Sequence, residues 1–183
     1  MTEHFYANPF FWAMVSMLGM VGATSLFSEH KLRHSLWFVT IVLLLVTAGR
    51  FILVLPFCPQ PRFDLFGLNA IIGAVPLLLT LIIGAKPFFT VKWWAPPKKS
   101  MGLKTTGIYG VVRHPIYLCE LLWPLGLAVV FGSTYGVALT PVWWLAFLIH
   151  AIAEEGALEQ ELGDEYRQYE KKVRGRIIPG LPI

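Results

Sequence analysis

The chain has 183 residues, of which 56% are hydrophobic and only 14% charged, and its mean hydropathy is +0.61. That is too apolar for a soluble domain of this size, so the sequence reads as one integral membrane unit, residues 1–183, with no room for a second domain. A net charge of +4 and a pI near 9.2 do not indicate nucleic acid, because the basic residues sit in short segments beside apolar runs, as membrane topology requires.

Apolar segments close to the ~20 residues needed to cross a bilayer follow in order. The first runs from Phe10 to Phe27, the second from Ser35 to Phe57 and the third from Leu65 to Ala85. The fourth runs from Ile116 to Gly132 and the fifth from Tyr135 to Ala153, joined by a short Gly-rich turn that makes them an antiparallel hairpin. The fold class expected is all-α, a polytopic membrane protein of about five transmembrane helices with a cytosolic C-terminal helix. Residues 1–85 supply the N-terminal spans and 86–183 the functional core. Met1-Thr2-Glu3-His4 lacks the positive start of a cleaved signal, so the first span is expected to remain. Pro76 should kink the third, while Gly19, Gly22, Gly49, Gly67 and Gly73 should permit close helix contacts. Thirteen of the fifteen Lys and Arg residues fall on one side of these spans, which puts the N-terminus outside and the C-terminus in the cytosol.

The two cysteines, Cys58 and Cys119, should lie a membrane thickness apart and cannot bond to each other. No Cys/His spacing suits a metal, and His30 and His34 read as interfacial neighbours of Lys31 and Arg33. Arg50, inside the second span, should snorkel outward or pair with Asp64. Trp93-Trp94-Ala95-Pro96-Pro97-Lys98-Lys99 reads as a headgroup-level aromatic anchor followed by a helix stop.

The chemistry concentrates around Arg113-His114-Pro115-Ile116-Tyr117. Pro115 at a helix start fixes the residues before it, so Arg113 and His114 are held at a positive helix N-terminus suited to a carboxylate or other anion. Tyr117 and Glu120 follow at helical spacing, and Glu120 could pair with Arg113 or face a ligand. Further on, Ala151, Glu155, Leu158, Leu162, Tyr166, Tyr169 and Val173 form an apolar stripe on a helix continuing from the fifth span. Glu155 is the exception on that stripe and must be paired, protonated or bound to a cation, while Glu154 is either a surface neighbour or the second wall of a site.

Thr106-Gly107-Ile108-Tyr109, Arg113 to Tyr117, Glu154-Glu155 with Leu158, then Gly163, Tyr166, Tyr169 and Arg176-Ile177-Ile178-Pro179 resemble, in order and spacing, the isoprenylcysteine carboxyl methyltransferase and phospholipid methyltransferase superfamily. The resemblance covers residues 86 to 183. It departs from the usual tail in having Arg174-Gly175, and no Pro, before Arg176. The resemblance implies S-adenosyl-L-methionine as cofactor, bound at the cytoplasmic face by Gly107, Tyr109, Arg113, His114, Pro115, Glu154 and Glu155. It implies that Arg176 lies near the reacting group of a lipophilic acceptor: a prenylcysteine, a phospholipid or a small thiol. Glu120 and Tyr117 join Arg176 as catalytic candidates, being the groups besides the acidic pair able to take a proton from an amine acceptor.

Such a cofactor carries an ammonium, a carboxylate and a sulfonium, so acidic and basic groups are needed together. Arg113-His114-Pro115-Ile116-Tyr117-Leu118-Cys119-Glu120 and the Arg176 tail also look like the C-terminal part of NADPH-dependent sterol reductases, but those chains carry more spans and the acidic pair would repel a polyanionic dinucleotide. A non-catalytic membrane scaffold is the third reading. No metal and no nucleic acid are expected as partners.

Overall fold

A computed structural model describes residues 8–28, 36–90 and 102–182. His30, Lys31, Arg33, His34 and the Trp93 to Lys99 stretch lie outside the described residues. The helices are α1 (Pro9–Ser28), α2 (Leu36–Val54), α3 (Asn69–Thr90), α4 (Pro115–Val130), the short α5 (Thr134–Ala138), α6 (Thr140–Leu162) and α7 (Asp164–Lys172). A 3-10 turn, Gly107–Gly110, precedes α4. Among the described residues the only β-type pairing is an isolated antiparallel bridge between Arg62 and Ser133, so the fold is all-α.

Two pairs of helices give the body its shape, α1 on α2 and α3 on α4. Both pairings depend on glycine. A Cβ at Gly49 would meet the Trp12 carbonyl at 2.7 Å, and one at Gly73 would meet the Gly126 carbonyl at 2.6 Å, so the backbones touch directly. Gly19 abuts the Val46 backbone amide in the same way, while Gly22 leaves room for the Val42 side chain. Gly67 does not belong with them: nothing lies near it, and its φ of +77 serves a turn instead. Val46, Leu53, Leu121, Trp143, Phe147 and Ala151, from α2, α4 and α6, close the principal core, and Ile177 of the tail joins them.

Helix starts differ from the apolar runs where polar side chains take over the backbone. Leu65 to Gly67 form a turn in which Asp64 accepts from the Gly67 amide and Asn69 Oδ1 from the Leu65 amide at 2.7 Å, so α3 begins at Asn69. The expected fifth span is divided: Ser133 Oγ caps α5 through the Gly136 amide, and Pro141 opens α6 in its first turn. The long C-terminal helix is also divided, at Gly163, whose φ of +58 ends α6. The stripe survives the break, since Ala151, Glu155, Tyr166, Tyr169 and Val173 are all buried.

Two stretches are long and apolar enough to cross a membrane, Asn69–Pro87 and Thr134–Leu162, and Pro9–Ala23, Thr40–Val54 and Pro115–Val130 are shorter apolar helices. Their outer faces expose Phe10, Leu18, Trp37, Leu44, Ile71, Leu78, Ile82 and Leu145 among others. A monomeric soluble protein does not carry apolar surface on that scale.

Candidate active site

The site forms where the tail crosses in front of α4. The Arg113 amide donates to the Gly175 carbonyl and the His114 amide to the Arg176 carbonyl, both at 2.8 Å, which joins the segment before α4 to the segment after α7. Gly175 is required there, because a Cβ would lie 2.9 to 3.0 Å from the Gly180 amide and the Ile178 and Val111 carbonyls. Pro115 opens α4 as the sequence indicates. The amides of Arg113 and His114 are therefore spent on the tail.

Those side chains converge on Glu155. Arg113 grips the carboxylate with two nitrogens, Nε to Oε1 at 2.8 Å and Nη2 to Oε2 at 3.2 Å. His114 Nε2 lies 3.0 Å from Oε1, and Arg176 Nε donates to Oε2 at 3.0 Å. Arg113 and Glu155 are buried. Arg113 is fixed further by Nη1 donating to the Val173 carbonyl at 2.9 Å, and Glu170 approaches its Nη2 at 3.3 Å. The exception on the apolar stripe is thus a paired carboxylate, satisfied by Arg113, His114 and Arg176.

Glu154 occupies a different position. It accepts from the Tyr117 hydroxyl at 2.8 Å, and its Oε2 lies 3.4 Å from His114 Nδ1, while 30% of its side chain remains exposed. The His114 and Tyr117 rings stack at 5.2 Å with an interplanar angle of 7°. His114 thus faces a carboxylate at each ring nitrogen. Burial alone would lower its pKa, but the hydrogen bonds and charges of Glu154 and Glu155 outweigh burial and hold it above the usual imidazole value. Tyr109 is tied to the cluster through its carbonyl, which accepts the Tyr169 hydroxyl at 2.7 Å; burial first, then Glu154 and Cys119, push its phenol up to about 12.

The remaining candidates separate into two groups. Arg176 joins the Glu155 cluster through Nε, and its Nη nitrogens have no partner among the described residues. Gly107, with φ +66 and nothing near its absent Cβ, lies in the exposed turn before α4, and no hydrogen bond joins it to the cluster among the described residues. Glu120 stands apart. It is held by Arg50, whose guanidinium also donates to the Glu120 carbonyl and lies 5.2 Å from the Trp123 ring and 5.3 Å from the Phe147 ring. Arg50 neither snorkels nor reaches Asp64: it is fully buried, because a carboxylate and two aromatic faces lie within reach at its own depth. Sequence reasoning missed this pair, which joins α2 to α4. The available signal was two opposite charges in separate apolar runs, each expensive alone.

Residues 66–165 match the profile of the family described as phospholipid methyltransferase. Among curated proteins, the chain is 40% identical over 82 residues to the protein-S-isoprenylcysteine O-methyltransferase of Schizosaccharomyces pombe, covering 44% of this chain and 33% of that one. It is 33% identical over 109 residues to protein-S-isoprenylcysteine O-methyltransferase B of Arabidopsis thaliana, covering 59% and 55%. It is also 38% identical over 79 residues to the cobalt-zinc-cadmium resistance protein CzcN of Cupriavidus metallidurans, covering 40% and 35%. The matched part therefore spans a third to just over half of the length of these relatives. No solved structure matches the chain.

Proposed function

The chain belongs to the phospholipid methyltransferase family, and from that premise we propose that it transfers a methyl group from S-adenosyl-L-methionine to a lipophilic acceptor at the cytoplasmic surface of a membrane. The observation that carries this reading is the pairing of opposite charges at one end of the helices. Glu154 is a partly open carboxylate, and Arg113, His114 and Arg176 are cationic or readily protonated groups gathered within hydrogen-bond reach of its neighbour Glu155. The donor set suits a molecule bearing both an ammonium and a carboxylate. Nicotinamide dinucleotide phosphate fits it less well, because Glu154 would face the phosphates.

In this reading Glu154 receives the ammonium and Arg113 with His114 the carboxylate, while Gly107, Tyr109 and Pro115 shape the rim. The cofactor supplies an electrophilic methyl group on a sulfonium. The rest belongs to the protein. Glu155 holds Arg113, His114 and Arg176 in one arrangement, and Tyr117, stacked on His114, orients Glu154. Methyl transfer disperses charge, so holding the reactants in line and excluding water supplies much of the acceleration. Arg176 directs its outer nitrogens at the acceptor, stabilising an anionic reacting oxygen or sulfur. For an acceptor that must lose a proton the candidate bases are Tyr117, at the cluster, and Glu120, which Arg50 holds apart from it.

Five spans, with the N-terminus outside and the C-terminus in the cytosol, put the site at the headgroup level. A water-soluble cofactor then enters from the cytosol and an apolar acceptor from the bilayer. The acceptor classes that fit are prenylcysteines, phospholipids and small thiols. Incubating the purified chain with methyl-labelled S-adenosylmethionine and membrane lipid extracts tests the activity: label in an extractable lipid supports it. Label remaining in the cofactor across prenylcysteine, phospholipid and thiol acceptors would overturn it.

A further inference from the structure

One buried polar group beside the cluster has no partner. Tyr166 is 2% exposed, and no hydrogen bond reaches its hydroxyl among the described residues. Its ring packs edge-on against Tyr169 at 5.9 Å, in the small core formed with Val173, Leu158 and Leu162. Phenylalanine would fill that space without burying an unsatisfied hydroxyl, so packing does not account for the oxygen. Tyr169 shows the ordinary solution, donating to the Tyr109 carbonyl. The Tyr166 hydroxyl is instead acted on by the charges of Glu155, Arg113, Glu170 and Glu154. Burial first, then those carboxylates, keep the phenol protonated far above the usual tyrosine range, so it is an O–H donor at any working pH.

The second observation is how unevenly the Arg113 guanidinium is held. Glu155 and the Val173 carbonyl grip it from buried positions. Glu170 reaches Nη2 only at 3.3 Å, from a side chain that is 43% exposed. Of the carboxylates on Arg113 it is the exchangeable one, because it can swing into water at little cost. Glu170 follows Tyr166 by four residues on α7, which places the two on one helix face.

We propose that Glu170 stands where a ligand carboxylate binds: the α-carboxylate of the methyl donor displaces Glu170 from Arg113 and accepts the Tyr166 O–H. Tyr166 is thus a binding residue for the amino-acid end of the cofactor, and Glu170 an internal competitor for the same place. This rests on the methyl-donor reading above.

Two ligands separate the possibilities. S-adenosylhomocysteine carries the amino-acid end, whereas 5′-methylthioadenosine keeps the adenine, ribose and thioether but lacks it. Calorimetry on the purified chain in detergent should show Tyr166→Phe binding S-adenosylhomocysteine roughly tenfold more weakly, with methylthioadenosine affinity unchanged. Glu170→Gln should bind S-adenosylhomocysteine several-fold more tightly, again without effect on methylthioadenosine. The melting temperature of Tyr166→Phe should equal or exceed that of the wild type. Unchanged S-adenosylhomocysteine affinity in Tyr166→Phe, or equal loss for both ligands, would overturn the assignment of Tyr166. Equal or weaker binding by Glu170→Gln would overturn the displacement. A wild-type chain that binds neither ligand would overturn the methyl-donor reading itself, and this inference with it.

Discussion

Glu154 and Glu155 are adjacent in sequence, yet their surroundings give them opposite duties. Glu155 accepts from Arg113, His114 and Arg176 in a buried place, so Glu155→Gln leaves buried cations without their counter-charge and should cost about 3 kcal/mol of stability. Glu154→Gln leaves that hub intact. Its effect should fall on the cofactor, roughly tenfold in affinity with a melting temperature close to wild type. Thermal unfolding and ligand titration of the two variants check the division; equal stability losses would contradict it. His114 adds a pH dependence. Its pKa is raised in the folded chain, so the stability it contributes is fully present below the unfolded imidazole value and is lost as pH rises through the higher folded one. The melting temperatures of wild type and His114→Asn should accordingly differ most below the ordinary imidazole pKa of about 6.5 and converge as pH rises through the raised folded value. The carboxylate anomaly on the apolar stripe was legible in sequence, because helical periodicity alone exposes it. The hub was not, since the tail that brings Arg176 to Glu155 is set by backbone pairing of Arg113 and His114 with Gly175 and Arg176.

Among the elements, α3 and α4 are locked by backbone contact and α2 and α4 by charge. A methyl group at Gly73 would meet the Gly126 carbonyl and Val130 Cγ2 at 2.6 Å and the Val130 amide at 2.8 Å, and the two backbone groups cannot turn aside. Gly73→Ala should therefore destabilise the chain by about 1–3 kcal/mol in detergent unfolding, where Gly67→Ala meets no neighbour and is limited to the strain of its turn. The Arg50–Glu120 pair follows different logic. Removing one partner strands a charge in an apolar setting, about 3 kcal/mol for Glu120→Leu, whereas the double variant Arg50→Met with Glu120→Leu should return to within about 1 kcal/mol of wild type. A double variant as unstable as the single one would show that the pair is needed for the fold. Apolar length revealed the five runs, and the all-helical class follows from them. Their boundaries moved where Asp64, Asn69, Ser133 and Gly163 gave the backbone other partners, which hydropathy does not weigh.

For the whole molecule, apolar faces turned outward and the Glu155 cluster collected at one end are two sides of a single arrangement. The helices present Leu, Ile and Phe to their surroundings, while the tail, the turn before α4 and the end of α6 bring Arg113, His114, Glu154, Glu155 and Arg176 together. In the proposed reaction a soluble cofactor and an apolar acceptor would meet where those two environments meet. The central claim is that this meeting place recognises S-adenosylmethionine. Isothermal titration of the purified chain with S-adenosylmethionine and, separately, with NADPH tests it most directly. Saturable heat with S-adenosylmethionine and none with NADPH is the predicted result; binding of NADPH alone, or of neither, would contradict it.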